Sequence, residues 1–237
     1  MEKNNPLEED LLRLEELQNI TQPFMQMMME YRCAMEEIAT KLRNLNDEFA
    51  LLYDRNPFET IKTRIKRPVS ILEKMKRRGF PVTIENMRRE LSDIAGVRVI
   101  CSFQEDIYTL ADLLLEQDDI RLIQKKDYIE HPKPNGYRSF HLIVEVPVFL
   151  SCGKIMRRVE IQFRTIAMDF WASLDHKLRY KKNLKHGESI AAELKDCADA
   201  ISRIDGKMQD ILIRIEGDDE PKRKHFEENS DAPTAAE

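Results

Sequence analysis

Apolar side chains recur every three or four residues near the N-terminus, at Leu7, Leu11, Leu14 and Leu17. This spacing places them along one face of an α-helix. Pro23 is expected to interrupt that helix, because proline lacks the backbone N–H that a helix interior needs. The helical pattern resumes after Pro23, so residues 1–54 are predicted to form a helical N-terminal extension.

The centre of the chain alternates between strand-like and helical patterns. Period-two alternation with β-branched residues predicts strands in DIAGVRVICSF, IRLIQKKDYI, SFHLIVEVPVFL and GKIMRRVEIQFRT. Helical spacing begins at Pro68, which suits a first turn, and Gly79 is placed to end that helix. Further helical segments begin near Thr83, Glu105, Thr165 and Glu188. Helices around a strand-rich centre, without an internal repeat, predict one α+β domain.

The C-terminal part of the chain is predicted to contain one long helix, within residues 183–217. The polar and charged residues 218–237 that follow are typical of a disordered tail, here an acidic one.

Composition excludes several classes of protein. No run of 18 apolar residues occurs, so no membrane span is predicted, and the acidic N-terminus is unlike a signal peptide. The four cysteines are far apart, so neither a zinc site nor a disulfide framework is expected, and a cytoplasmic location is predicted. P-loop, GxGxxG and protein-kinase motifs are absent, so side-chain cations must hold any bound phosphates.

The net charge of −5 hides blocks of opposite charge. Residues 55–98 carry a net charge of +7 and residues 121–186 carry +8, whereas both ends of the chain are acidic. If the two basic blocks line one cleft, that cleft attracts a polyanion. The alternative is two solvated faces that never meet.

The first basic block contains candidate phosphate ligands. Ser70, Lys74 and Arg78 are four residues apart and share one face of the predicted helix, while Arg64 and Lys66 precede it. Together these side chains could hold a triphosphate, with one guanidinium stacked on a base. An ordinary solvated helix end explains the same cations.

Two carboxylates are candidate metal ligands. In VEIQFRT, apolar residues alternate with polar ones, so that one strand face carries Glu160, Gln162 and Arg164. Asp93 stands at the start of another predicted strand. Carboxylates of this kind, together with nucleotide phosphates, are ligands that Mg²⁺ prefers. A half-exposed strand with ordinary polar residues is equally compatible with this spacing.

The segment KKDYIEHPKPNGYRSFHLIVEVP surrounds an Asn-Gly turn with cationic and aromatic side chains. The turn itself needs only Asn135 and Gly136. Around it lie Lys133, Tyr137, Arg138 and His141. An anionic, aromatic ligand such as a nucleotide would use all four, with the tyrosine stacked on a base.

These segments together resemble the synthetase domain of the RelA/SpoT family. The resemblance rests on RIKRPVSILEKM, DIAGVRVIC, HPKPNGYRSFHLIVEVPV and VEIQFRTIAMDFWASLDHKLRYK, and covers residues 55–182. The short chain is similar to the stand-alone small alarmone synthetases. The resemblance implies a fold of the polymerase-β nucleotidyltransferase type, with helices around a mixed β-sheet.

The resemblance also implies an activity. A GTP/GDP pyrophosphokinase transfers the β,γ-pyrophosphate of ATP to the 3′-hydroxyl of GDP or GTP, giving AMP and ppGpp or pppGpp, the alarmones of the stringent response. Mg²⁺ is the implied cofactor. The bifunctional relatives carry a His-Asp hydrolase motif, and since no His-Asp pair occurs here, hydrolase activity is not expected.

Roles of individual residues follow from the same resemblance. Arg64 and Arg98 would sandwich the adenine of ATP, and its phosphates would contact Lys66, Ser70, Lys74 and Arg78. Asp93 and Glu160 would be the catalytic residues and hold Mg²⁺, with Glu160 also acting on the acceptor 3′-hydroxyl. Tyr137 would stack on guanine, and the other acceptor residues would be Lys133, Arg138, His141, Gln162 and Arg164.

The resemblance to the stand-alone members also implies a homotetramer. Residues 24–67 and 165–180 could contribute to such an assembly. An allosteric alarmone or single-stranded RNA is a candidate partner, whereas membrane and DNA are not expected. Two other functions stay open: a nucleotidyltransferase that releases pyrophosphate, and a non-catalytic sensor of guanine nucleotides or single-stranded RNA.

Overall fold

The computed structural model describes residues 6–179 and 187–217 and has a β-sheet at its centre. The strands are β1 (Phe58–Ile65), β2 (Ala95–Cys101), β3 (Arg121–Asp127), β4 (Phe140–Leu150) and β5 (Gly153–Thr165). The helices are α1 (Pro6–Leu52), α2 (Pro68–Arg77), α3 (Ile84–Glu90), α4 (Gln104–Leu115), α5 (Ile166–Arg179) and α6 (Gly187–Glu216). The predicted disordered tail, residues 218–237, lies outside the described residues.

The five strands form a mixed sheet in the order β1-β2-β5-β4-β3. β2 and β5 are parallel, and every other neighbouring pair is antiparallel. β4 and β5 form a hairpin in which Leu150 pairs with Gly153. β5 is therefore the central strand. It lies between β2 and β4, which belong to the segments that carry much of the candidate site.

One face of the sheet is apolar and packs under the helices. Val97 of β2, Leu142 of β4 and Ile161 of β5 are buried in the same core as Ile38 of α1 and Leu110 of α4. Because side chains alternate along a strand, the polar residues between these positions are turned to the opposite face. The core thus fixes which face of the sheet carries the site.

Two sequence predictions were wrong. Pro23 does not interrupt the N-terminal segment but lies inside the single helix α1. Pro23 is exposed, so the backbone carbonyl that loses its partner can be solvated, and the residues after it, from Met27, anchor the helix in the core. The prediction also missed β1, an edge strand whose side chains are mostly exposed and which therefore lacks apolar alternation.

None of the helices in the described parts of the chain is long and apolar enough to cross a membrane.

A buried carboxylate connects α1 to the sheet. Glu30 is 3% exposed, and its Oε2 accepts hydrogen bonds from Arg157 Nη2 at 2.6 Å and Arg88 Nη2 at 2.8 Å. Burial alone would raise the pKa of Glu30, but the hydrogen bond and charge of Arg157, with the charge of Arg88, outweigh it and hold the pKa below its usual value. Glu30 therefore joins α1, α3 and β5 as an ionised group.

We expect Glu30→Gln to lower the free energy of unfolding by about 3 kcal/mol, because Arg157 and Arg88 lose their buried counter-charge. Urea denaturation followed by circular dichroism measures this change. The control is Glu36→Gln on the same helix, where a half-exposed carboxylate pairs with Arg43 at 3.4 Å. That control should change stability by less than about 1 kcal/mol. Equal losses in the two variants would contradict the prediction.

Candidate active site

A cleft of about 970 Å³ opens on the polar face of the sheet, beside α5. Its volume suits a ligand of nucleotide size. Many residues predicted for the site line it: Arg64, Lys66, Asp93, Arg98, Tyr137, Glu160, Gln162 and Arg164. Residues from both basic blocks thus meet in one cleft, as the first of the two charge hypotheses requires.

The strand register builds the floor of this cleft. One row across the sheet contains, in order, Lys62, Arg98, Gln162 and His141. The next row contains Arg64, Gly96, Glu160 and Ile143. Residues paired across neighbouring strands point to the same face, so residues about 100 positions apart in the sequence share one surface.

Asp93 lies between α3 and β2, where two lysines converge on it. Its Oδ2 accepts hydrogen bonds from Lys66 Nζ at 2.8 Å and Lys74 Nζ at 2.7 Å. Its Oδ1 is buried and has no hydrogen-bond partner among the described residues. Burial would raise the pKa of Asp93, but the hydrogen bonds and charges of the two lysines hold it below its usual value. Asp93 is thus an ionised carboxylate with one unused oxygen.

Glu160 projects from the middle of β5 and has two neighbours. Its Oε2 accepts a hydrogen bond from Gln162 Nε2 at 2.8 Å, and its Oε1 lies 3.4 Å from His141 Nδ1. Burial raises the pKa of Glu160, but the contacts with His141 and Gln162 outweigh burial and the nearby charge of Asp93, so the pKa lies below its usual value. Glu160 is therefore ionised at neutral pH.

His141 is buried and lies between Glu160 and Tyr137. Burial, together with the charges of Arg164 and Lys133, lowers the pKa of His141 more than Glu160 raises it, so the ring is neutral at pH 7. Tyr137 Oη accepts a hydrogen bond from Arg164 at 2.9 Å and lies 2.8 Å from His141 Nε2. Because the tyrosine can then donate its proton to Nε2, the network assigns the imidazole proton to Nδ1, which faces Glu160.

The turn before β4 holds the Tyr137 ring at the cleft. Gly136 N donates to Lys133 O at 2.8 Å, and Lys133 N donates to Tyr137 O at 3.1 Å. Gly136 has φ +85°, and a Cβ at this position would lie 2.5 Å from Cβ of Ala198 in α6. A glycine is therefore required at position 136, both by the backbone angle and by the close packing of α6. In the same turn, Lys133 Nζ lies 4.6 Å from the centre of the Tyr137 ring.

A model of the region found in RelA/SpoT proteins matches residues 63–185. This chain belongs to the RelA/SpoT family. GTP pyrophosphokinase YwaC of Bacillus subtilis is 40% identical over 203 residues, which cover 86% of this chain and 97% of YwaC. GTP pyrophosphokinase YjbM of the same species is 37% identical over 190 residues, 80% of this chain and 88% of YjbM.

This chain is similar to a solved structure of small alarmone synthetase 1 from Bacillus subtilis bound to its product pppGpp. The two chains have a TM-score of 0.75 and are 35% identical in sequence. The match covers 83% of this chain and 98% of that one. These comparisons confirm the predicted family, the α+β fold with its mixed sheet, and the predicted enzyme class, a GTP pyrophosphokinase.

Six predicted residues of this RelA/SpoT site are not on the cleft wall: Ser70, Lys74, Arg78, Lys133, Arg138 and His141. Ser70 and Arg78 lie on or just after α2, and Arg78 donates to the backbone carbonyl of Glu90 at 3.1 Å. Lys74 reaches the site only through Asp93. Arg138 is directed toward α6, where it donates to Asp199 at 3.5 Å. The roles predicted for these residues stay predictions.

Sequence reasoning missed several residues that line the RelA/SpoT cleft. Lys62 belongs to the unpredicted strand β1, and Ser173, His176 and Lys177 project from α5. Asp169, in the first turn of α5, accepts hydrogen bonds from two cleft arginines. An acidic residue in a first turn is ordinary helix chemistry, so the sequence carried no signal for this contact.

The family resemblance implies that Tyr137 stacks on guanine, so we expect Gly136→Ala to weaken binding of the guanine nucleotide, because the new methyl group collides with Ala198 and displaces the turn that holds Tyr137. The KM for GTP should rise by roughly tenfold, equivalent to about 1.4 kcal/mol, within the usual cost of overpacking. The measurement is steady-state pppGpp formation at varied GTP.

Gly153→Ala is the matched control, since Gly153 also has a positive φ, +113°, but an added Cβ would meet nothing within 4 Å. Its KM for GTP should stay unchanged. The double variant Gly136→Ala/Ala198→Gly removes the collision but keeps the backbone strain of an alanine at φ +85°, so it should restore part of the affinity. A double variant as impaired as Gly136→Ala would show that the contact with α6 is not the cause.

Proposed function

We propose that the cleft binds ATP together with GDP or GTP and transfers the β,γ-pyrophosphate of ATP to the 3′-hydroxyl of the guanine nucleotide. The observation that carries the proposal is that two ionised carboxylates, Asp93 and Glu160, share one basic cleft with the half-buried Tyr137. In support, small alarmone synthetase 1 has been solved with pppGpp and, in a structure 31% identical to this chain with a TM-score of 0.68, with AMPCPP.

The donor subsite is proposed to lie against β1 and β2. Arg64 and Arg98 project from neighbouring strands, where their planar guanidinium groups can stack on the two faces of adenine. Lys66 and Lys74, now paired with Asp93, are the nearest cations for the phosphates, with Ser70 and Arg78 further along α2. ATP phosphates would compete with Asp93 for these lysines.

The acceptor subsite is proposed to lie at the turn before β4. Tyr137 would stack on guanine, with Lys133 beside its ring and Gln162 and Arg164 on the neighbouring strand. The hydroxyl group of Tyr137 is already engaged by Arg164 and His141, so its ring is held in one orientation. Arg138 would act from behind this turn, through its bond to the Gly136 carbonyl.

In the reaction, the 3′-oxygen of the acceptor attacks the β-phosphorus of ATP. The bond from this phosphorus to the α,β-bridging oxygen breaks, and AMP leaves with that oxygen. Glu160 accepts the proton of the 3′-hydroxyl, and the Nδ1–H of His141 keeps the carboxylate oriented. Positioning and cations are expected to supply most of the rate, as is general in phosphoryl transfer.

The donor set fits Mg²⁺. Asp93 Oδ1 is buried without a partner, and Asp93 and Glu160 are close enough for their charges to affect each other. Among the described residues no three His, Cys, Asp or Glu side chains are grouped to hold a metal, so nucleotide phosphates and water would complete the coordination. Asp93 and Glu160 would hold the ion, which when bound neutralises charge on the phosphoryl oxygens.

We expect Asp93→Asn and Glu160→Gln each to reduce formation of AMP and pppGpp at least about 100-fold, because each removes a carboxylate used in the transition state. Anion-exchange chromatography of a mixture of ATP, GTP and Mg²⁺ measures both products. Glu59→Gln is the control, since it removes a carboxylate of β1 that bonds Ser102 outside the cleft.

Free pyrophosphate in place of AMP would instead identify a nucleotidyltransferase. A parent protein that binds guanine nucleotides but forms no product with either GTP or GDP would be identified as a sensor. Either outcome overturns the proposal. Cytoplasmic location and regulation by an alarmone or single-stranded RNA stay predictions.

We further propose that the chain self-associates through α5. Apolar side chains at four-residue spacing form an exposed stripe on this helix: Ile166, Phe170, Leu174 and Leu178, each 40–57% exposed. Such a stripe is typical of a helix that packs on a partner. A second copy of this chain is the occupant that the family's homotetramers imply.

We therefore expect Phe170→Glu to reduce the oligomer, because it places a charge in the centre of the stripe. Multi-angle light scattering at micromolar concentration measures the mass. Phe149→Glu, at a 73% exposed position near the end of β4, is the control and should leave the mass unchanged. A parent protein that is monomeric at this concentration would refute self-association.

A further inference from the structure

One carboxylate on α5 gathers cations from three neighbouring strands. Asp169 Oδ1 accepts hydrogen bonds from Arg98 Nη1 of β2 at 3.1 Å and Arg164 Nη1 of β5 at 2.8 Å. Asp169 Oδ2 lies 3.6 Å from Lys62 Nζ of β1. The side chain of Asp169 is 14% exposed, so water screens these contacts little.

The Asp169 carboxylate allows Arg98 and Arg164 to lie side by side. The Arg164 side chain is 5% exposed, and the Nε atoms of both Arg98 and Arg164 are buried without a hydrogen-bond partner among the described residues. Burial and the charge of Arg164 lower the pKa of Arg98, whereas Asp169 raises it. Without Asp169, two partly desolvated positive charges would repel each other and separate.

Each arginine leads to a different nucleotide subsite. Arg98 is the proposed stacking partner of adenine. Arg164 donates from Nη2 to Tyr137 Oη at 2.9 Å and to Gln162 Oε1 at 3.3 Å, and its guanidinium lies 5.2 Å from the centre of the Tyr137 ring. Arg164 therefore orients the ring that is proposed to stack on guanine. The Asp169 carboxylate therefore contacts both the arginine of the proposed donor subsite and the arginine linked to the proposed acceptor subsite.

We propose that Asp169 is a positioning residue that couples the donor and acceptor subsites by holding Arg98 and Arg164 in one arrangement. The inference rests on the proposed function for the identity of the two nucleotides. Asp169 itself contacts neither. When one nucleotide binds and orders its arginine, Asp169 orders the other arginine, so the second nucleotide binds a site that is already arranged.

The test measures this coupling by binding, without turnover. Isothermal titration calorimetry gives the affinity for AMPCPP, a non-reacting ATP analogue, with and without saturating GDP. In the parent protein GDP should tighten AMPCPP binding about fivefold or more, the usual lower range of a coupling between two sites. In Asp169→Asn, which keeps the side-chain shape but removes the charge, GDP should change the AMPCPP affinity less than about twofold, well short of that coupling.

Kinetics provide the second measurement. Asp169→Asn should raise the KM values for both ATP and GTP by roughly tenfold while kcat falls less, because the interaction lost acts in binding rather than in the chemical step. The control is Asp119→Asn, which removes a carboxylate that pairs with Lys41 outside the cleft, and should retain the coupling and both KM values. Thermal melting of both variants establishes that they are folded.

If Asp169→Asn does not fold, Asp169→Glu answers the same question, since it keeps the charge but moves the carboxylate by one methylene and should weaken the coupling. Coupling equal to that of the parent in a folded Asp169 variant would overturn the inference, as would a parent that binds both nucleotides without coupling. A parent that binds and couples both nucleotides but forms no pppGpp would refute the proposed function alone.

Discussion

The parallel pairing of β2 with β5 is the constraint on which the rest of the structure depends. Its register places Arg98 beside Gln162 and Gly96 beside Glu160, on the face opposite the core. A shift of β5 by one residue would turn Glu160 into the core and expose Ile161. Burial of the apolar face therefore holds the polar face that lines the cleft in position, and the geometry of the cleft depends on packing on the other side of the sheet.

Internal ion pairs let an acidic protein collect cations in one cleft. Lys66 and Lys74 converge on Asp93, and Arg98 and Arg164 converge on Asp169. Each carboxylate offsets the repulsion between two like charges, at least one of which lines the cleft. In the proposed function, nucleotide phosphates would compete with Asp93 for the same lysines, so the pairs that stabilise the free cleft would also prepare it for an anionic ligand.

The C-terminal helix contributes to the site from outside the segment that carries the family motifs. The family match ends at residue 185, before α6 begins. Yet α6 packs against Gly136, bonds Arg138 through Asp199, and accepts the indole N–H of Trp171 at the Leu194 carbonyl. The orientation of the turn before β4, where the acceptor subsite is proposed, is thus set partly by a helix that lies far from this turn in the sequence.

The sequence by itself determined the local features of this protein. Alternation in VEIQFRT separated a core face from a polar face, and Asn135-Gly136 marked the turn, because these properties depend only on neighbouring residues. The tertiary structure decided the rest. It kept Pro23 inside α1, made an edge strand of residues 58–65 and brought Asp169 to the two arginines. Such contacts join residues far apart along the chain, and only strand pairing and helix packing fix them in space.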